Sequence, residues 1–311
     1  MKRLFLDLIN VSEMAAISAS KFIGKNNPEA ADKAAVESMR NTLNKIDFKA
    51  RIVIGEGERD EAPMLHIGEI VGSGDGEIQY DIAVDPLECT SRCARSDGAS
   101  VTAILVAEFG MLLPAPDVYM NKIVATVGDI NLDASIEENL STVSKAKGIA
   151  ISELTVSILD RDRHLEIINQ ILSAGARVKL IADGDIAATI MSCIPGSGVD
   201  MYIGIGGAPE GVIAAAAVTM MGGKMEGRLL FKNNSQRERA QSMFAGEIDR
   251  KLTMEEMVQF NGYRGELMCI MTGITSGELL GGVTDCTTDS ICISRDRYGN
   301  IYNRQILTNR C

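Results

Sequence analysis

Asp81-Ile82-Ala83-Val84-Asp85-Pro86-Leu87-Glu88-Cys89-Thr90 joins an apolar run to an acidic turn. Ile82 to Val84 carry the signature of a buried strand. A proline turn is expected next, bearing Asp85, Glu88 and Thr90. Two carboxylates three residues apart past a strand end can converge on one point, and a threonine hydroxyl two residues on can reach it. Carboxylate oxygens suit Mg²⁺ or Mn²⁺. Alone, the stretch reads equally well as an ordinary acidic turn. A second acidic turn, Gly55-Glu56-Gly57-Glu58, follows a second apolar run, Ile52-Val53-Ile54, and two such clusters in one chain suggest a shared metal site.

Working outward, the apolar residues from Asp7 to about Gly24 recur at helical spacing, and a second helix carries Ala31, Ala34, Ala35, Met39 and Leu43 on one face. Asp32 lies in its first turns, where an acid either answers the helix dipole or holds a metal. Strands are expected at 51–54, 99–107 and 122–127, with a helix over 59–65. From residue 150 the pattern becomes strand, helix, strand, at 154–159, 163–174 and 177–182, which indicates an α/β unit. A helix at 186–193, a strand at 201–205, a helix through Met221, a charged helix over 232–250 and three closing strands complete the chain. No repeat or linker divides it. Two tightly packed lobes, 1–150 and 151–311, are expected.

The chain has 311 residues with 46% hydrophobic content, enough for a full core, but only 4% aromatic content. A net charge of −11 and few aromatics argue against nucleic acid and anionic membrane as partners. Seven cysteines, odd in number and without a CxxC, fit reduced thiols in a cytoplasmic protein and argue against zinc. Asp7 interrupts the apolar start, so no secretory leader is expected. His66 and His164 are far apart in sequence and lack an accompanying serine or cysteine motif, which gives a Ser-His-Asp or Cys-His hydrolase little support.

The remaining acids, Asp183, Asp185 and Glu210, also fall at strand or helix ends, where ligands collect in open α/β sheets. Gly204-Ile205-Gly206-Gly207-Ala208-Pro209-Glu210-Gly211 follows a strand and opens a helix. It reads as a phosphate-holding loop or as a tight packing turn. Arg161-Asp162-Arg163-His164 reads as a phosphate-binding spot or as a solvated helix start.

Together these stretches resemble the class II fructose-1,6-bisphosphatases, within the lithium-sensitive metal-dependent phosphatase superfamily that also holds inositol monophosphatase. The resemblance is carried by Ala31-Asp32, by Glu56-Gly57-Glu58 with Asp60-Glu61-Ala62-Pro63-Met64-Leu65, and by Asp81 to Glu88. Ala115-Pro116-Asp117 with Tyr119-Met120, Asp183-Gly184-Asp185, Gly204 to Val212 and Thr272-Gly273-Ile274-Thr275 continue it. It implies an α/β fold built as a layered α/β/α/β/α sandwich, Mn²⁺ or Mg²⁺ dependence, and hydrolysis of the 1-phosphate of fructose 1,6-bisphosphate, a step of gluconeogenesis. It implies metal ligands at Asp32, Glu56, Asp85, Glu88 and Glu210, with Thr90, Glu56 and Asp32 as catalytic residues. Implied substrate contacts are Glu88, Cys89, Thr90, Tyr119, Arg161, Arg163, Asp183, Asp185 and Gly207. A homo-oligomer, dimer or tetramer, is expected, with a small sugar phosphate as its partner.

Three departures stand out. Asn26-Asn27-Pro28-Glu29 replaces the family's Gly-Asp-Lys-Asn ahead of Asp32, removing a lysine. Cys89 stands where the family has glycine, and Ser91 to Asp97 replaces an apolar segment. Arg161 stands where the family often has lysine, keeping charge but not geometry. Besides the active enzyme, the expectations therefore include a degenerate paralogue that binds a sugar phosphate or a partner subunit. A phosphatase for another sugar bisphosphate, such as sedoheptulose 1,7-bisphosphate, is a further alternative.

Overall fold

The computed structural model describes residues 4–57, 64–243, 247–258, 265–285 and 287–309. Its elements in chain order begin α1 (Phe5–Ser20), α2 (Pro28–Leu43), β1 (Ala50–Ile54), β2 (Ile70–Val71), β3 (Tyr80–Glu88), α3 (Thr90–Arg95), β4 (Val101–Glu108) and β5 (Tyr119–Ala125). They continue α4 (Ile136–Lys147), β6 (Thr155–Leu159), α5 (Leu165–Ser173), β7 (Arg177–Ile181), α6 (Asp185–Met191), β8 (Met201–Gly207) and α7 (Ala208–Met220). The last are β9 (Lys224–Leu230), α8 (Asn234–Met243), β10 (Leu252–Thr253), α9 (Met254–Met257), β11 (Leu267–Gly273), β12 (Thr287–Arg295) and β13 (Ile301–Asn309). The helix expected over 59–65 falls largely outside the described residues, and Leu65 itself is left-handed, with φ 52°.

The α/β class holds, with two mixed sheets. One runs β13-β12-β11-β4-β3-β1-β2 and the other β10-β9-β5-β8-β6-β7. The chain divides into Met1–Leu112 with Gly262–Cys311, and Leu113–Asn261, not at residue 150. Strand pairing is the reason. β11 returns to pair with β4 from Leu267 to Gly273, bringing β12 and β13 into the first sheet. β5 lies before residue 150 but pairs with β8 and β9.

In the first unit, α1 and α2 cover one face of the sheet. Leu8, Val11, Met39 and Leu43 meet Ile52, Ile82, Val84, Ile104 and Ile270 in one core. Full burial of each such side chain contributes about 1.5–3 kcal/mol. Hydroxyls pin α1 at one end of this face: Ser12 Oγ lies 3.0 Å from Thr102 Oγ1 and 2.8 Å from Thr272 Oγ1, which lies 2.8 Å from Ser290 Oγ. β3 does not stop at a proline turn. It continues to Glu88, and its pairing with β4 shifts register between Asp85 and Glu88. Pro86 has no N–H to give a ladder, so the strand absorbs it as an irregularity.

In the second unit, β5 alternates. Ile123 and Ala125 join Leu140 and Val143 of α4 and Ile171 of α5 in a core. Met120 and Lys122 point to the opposite face, toward α6 and α7. The alanine-rich α7 is buried over most of its length. β9 was not anticipated, although Met225, Gly227 and Leu229 alternate as buried residues along it. Among the described residues no helix is long and apolar enough to cross a membrane.

Candidate active site

Two sets of polar residues stand at strand ends, one in each unit. In the first unit β1 and β3 run parallel, so Glu56, just past β1, and Glu88, the last residue of β3, lie toward the same end of the sheet. α2 packs on β3 and α3 and brings Asp32 to Glu56. Burial lifts the Glu56 carboxyl to about 8, and the Asp32 charge adds to the rise. Burial also raises Asp32. Asp85 Oδ1 accepts from the Leu87 amide at 3.2 Å, and Glu88 is buried. Thr90 opens α3, and its hydroxyl donates to the Leu87 carbonyl at 2.9 Å.

Cys89 precedes α3 with φ 68° and ψ 44°, a left-handed conformation. Glycine adopts that conformation without strain, whereas a residue with a Cβ meets a cost of about 1–2 kcal/mol there. The departing segment continues as α3, which Ser96 ends in the same left-handed conformation, and Ala99 beyond it is left-handed as well. Its arginines serve the loop itself: Arg92 Nε donates to the Gly98 carbonyl, and Arg95 Nε donates to Asp97, both at 2.9 Å. In the other altered stretch Asn27 caps α2 by accepting from the Ala30 amide at 3.0 Å, with Pro28 following as a favoured first helical residue. Lys25 lies over the Phe22 ring, 5.2 Å from its centroid.

In the second unit β6, β7 and β8 run parallel, so the residues after each emerge at one sheet edge. Those residues are Arg161 and Arg163, then Asp183 and Asp185, then Glu210. β5 runs antiparallel and pairs Tyr119 with Gly207, which brings Tyr119 to the same edge. Arg161 pairs with Asp183 at 3.3 Å, and the Arg163 guanidinium lies 4.9 Å from the Tyr119 ring centroid. Lys122 Nζ is ion-paired with Asp185 and donates to the Gly207 carbonyl at 2.9 Å.

The Gly-rich stretch is a packing device at this edge. A Cβ on Gly206 would meet Asp185 Oδ2 at 1.8 Å, and one on Gly207 would meet Glu210 Oε2 at 1.8 Å. Burial pushes Glu210 up to about 7, the Asp185 charge adds to this, and Lys122 opposes it.

Two observations bear on whether a divalent ion fits. Asp32 and Glu56 repel each other in a desolvated setting, and Glu210 Oε2 is buried without a hydrogen-bond partner. The donors are all carboxylates, which suits Mg²⁺ or Mn²⁺. Among the described residues no group of three or more His, Cys, Asp or Glu side chains is placed to hold a metal ion. What fits an ion is therefore the Asp32–Glu56 pair and the unpartnered Glu210 oxygen, each in its own unit, and not a gathered set of all five acids.

Two residues of the second edge escaped the sequence reading. Lys232 follows β9, whose Leu230 pairs with Tyr119, and its Nζ lies 4.4 Å from the Tyr119 ring centroid. Its strand was missed, so its place was too. Lys122 left a signal: a lysine alternating with Met120 and Val124 occupies an apolar strand position.

The family model described as bacterial fructose-1,6-bisphosphatase, glpX-encoded, matches residues 2–301. A Synechococcus sp. (strain JA-2-3B'a(2-13)) protein named D-fructose 1,6-bisphosphatase class 2/sedoheptulose 1,7-bisphosphatase is 41% identical, covering 90% of this chain and 87% of its own. The Haemophilus influenzae fructose-1,6-bisphosphatase class 2 is 41% identical, covering 91% and 88%. Among solved structures, inositol monophosphatase from Anabaena (Nostoc) sp. PCC 7120 aligns over 61% of this chain and 70% of its own, at 14% identity and a TM-score of 0.32. With the match running nearly end to end, the chain belongs to the glpX-encoded bacterial fructose-1,6-bisphosphatase family.

Proposed function

We propose that this protein is a metal-dependent phosphoric monoester hydrolase that removes the 1-phosphate of fructose 1,6-bisphosphate. The observation that carries this reading is the acid pair Asp32 and Glu56, held in mutual repulsion in a chain of this family. Such a pair is costly to keep ionised unless a proton or a cation neutralises it, and a divalent ion can replace the proton. Asp32, Glu56, Asp85 and Glu88 of the first unit would hold Mn²⁺ or Mg²⁺, and in the second unit Glu210 would be a ligand at its own edge. A bound divalent ion lowers the pKa of a water and offsets charge on the leaving oxygen.

The reaction breaks the bond from phosphorus to the sugar O1 and forms one to a water oxygen. Thr90 gives its own proton to the Leu87 carbonyl, so its lone pairs are left to accept from the attacking water. Tyr119, Arg161, Arg163 and Lys232 offer a hydroxyl and three cations for phosphate, and Asp183, Asp185 and Gly207 offer acceptors for sugar hydroxyls. A cytoplasmic homo-oligomer belongs to the same reading and is checked by light scattering.

The test is phosphate release from fructose 1,6-bisphosphate with Mn²⁺ or Mg²⁺. Folded, metal-loaded protein that releases none from any sugar bisphosphate would sink the reading in favour of a binding-only paralogue. The double name of the Synechococcus relative favours a second substrate, so sedoheptulose 1,7-bisphosphate belongs in the same assay.

A further inference from the structure

Lys122 is the least expected side chain in the second unit. It sits mid-strand in β5, between Met120 and Val124, with 1% of its side chain exposed. A lysine in such a place costs several kcal/mol of desolvation unless its protons are taken up. Asp185 Oδ2 and the Gly207 carbonyl take two of them. Both partners stand at the sheet edge where the sugar phosphate is expected, one opening α6 and one ending β8. The hydrogen bond from Lys122 reaches Asp185 through Oδ2.

The backbone is shaped around this contact. Gly206 leaves room for the pair, because a Cβ there would lie 1.8 Å from Asp185 Oδ2 and 3.1 Å from Lys122 Nζ. A hydrophobic residue at 122 would fill the strand face without needing that clearance. The sequence thus spends a buried charge and an obligatory glycine on one carboxylate.

We infer that Lys122 is a positioning residue: anchored on the Gly207 carbonyl, it holds Asp185 by one oxygen so that the other is presented to a sugar hydroxyl. It acts through Asp185 and touches no reacting atom. The inference rests on the assignment of Asp185 to the substrate.

The test uses the full-length metal-loaded protein as wild type, Lys122→Met, Asp185→Asn and the double variant. KM and kcat are measured with fructose 1,6-bisphosphate, the Kd of fructose 6-phosphate by calorimetry, and the KM of p-nitrophenyl phosphate, which has no sugar. Lys122→Met is expected to raise KM and Kd about tenfold with kcat little changed, and to leave the p-nitrophenyl phosphate KM as it was. The double variant is expected to bind no more weakly than Asp185→Asn, because the two residues act as one unit. Equal losses on both substrates with unchanged Kd, or additive losses in the double variant, would overturn the inference. If Lys122→Met does not fold, the neutral double variant against Asp185→Asn decides alone: equal Kd supports the inference and a further tenfold loss overturns it. Asp185→Asn with unchanged Kd would remove the substrate assignment itself. A weakened Asp185→Asn beside an unaffected Lys122→Met would remove only the role of Lys122.

Discussion

The imidazole Nε2 of His164 accepts the amide proton of Ile205 at 2.8 Å, across 41 residues of chain. Its Nδ1 lies 2.7 Å from the Leu159 carbonyl, so with Nε2 accepting, Nδ1 carries the proton and the ring is a single neutral tautomer. The ring is fully buried. The bond ties β8 to the turn after β6, and in that turn Arg163 Nη2 donates to the Ile205 carbonyl at 2.8 Å. A histidine with no catalytic partner thus sets where an arginine of the site stands.

His164→Ala leaves the Ile205 amide and the Leu159 carbonyl without this partner and opens a cavity. We expect a loss of about 2–4 kcal/mol in urea unfolding and a raised KM with kcat less affected. Burial holds the His164 pKa below its ordinary 6.5. Below about pH 6.5 the unfolded chain takes up a proton that the folded one refuses, so stability falls as pH drops through that range. His164→Ala should remove this part of the slope, and an unchanged slope would exclude His164 as its source.

Cys89→Gly tests the turn before Thr90. Relief of the left-handed backbone is worth about 1–2 kcal/mol. Greater freedom of glycine in the unfolded chain takes back about 0.5–1 kcal/mol, and the buried thiol loses some packing. Stability should stay within about 1 kcal/mol of the parent, while kcat with fructose 1,6-bisphosphate rises. A kcat that stays at zero after this change would support the binding-only alternative.

Much of this was legible because the signals are local. The apolar runs at Ile52–Ile54 and Ile82–Val84 are β1 and β3, and the acids that follow them lie toward one end of the sheet because those strands are parallel. Asp32 could not be brought to Glu56 by local pattern, since the packing of α2 does that. The unit boundary was hidden for a similar reason: β11 pairs with β4 across more than half of the chain. Pro86 suggests a turn after Val84, yet a register shift lets the strand continue to Glu88. Lys232 was read as part of a solvated helix, and only the pairing of β9 with β5 carries it to Tyr119.

Gly206→Ala and Gly207→Ala should differ although both added methyls meet a carboxylate oxygen at 1.8 Å. At Gly206 the oxygen belongs to Asp185, buried and pinned by Lys122, so it has nowhere to go. At Gly207 it belongs to Glu210, whose Oε2 has no hydrogen bond to lose and can swing aside. Gly206→Ala should cost about 3 kcal/mol or more, as expected for breaking a buried pair. Gly207→Ala should fold with a smaller loss and bind Mn²⁺ more weakly in calorimetry. Equal unfolding midpoints for the two variants would contradict the packing argument.

Glu56 makes the metal-free protein less stable as pH rises. Its carboxyl stays protonated to about 8 in the fold but ionises near 4.5 when unfolded. Between these values the folded state binds more protons, so stability declines with increasing pH, at up to about 1.4 kcal/mol per unit. Glu210, pushed up to about 7, adds to the decline over part of the same window. Glu56→Gln should flatten the profile in chelator-treated protein, raising the melting temperature more at pH 8 than at pH 5. Adding Mn²⁺ to the wild type at pH 7 should restore stability and release protons, because the ion takes the place of the proton on the carboxylate. Proton release is read as a buffer-dependent calorimetric enthalpy. Parallel pH profiles for wild type and Glu56→Gln, or Mn²⁺ binding with no buffer dependence, would show that Glu56 is ionised in the metal-free fold.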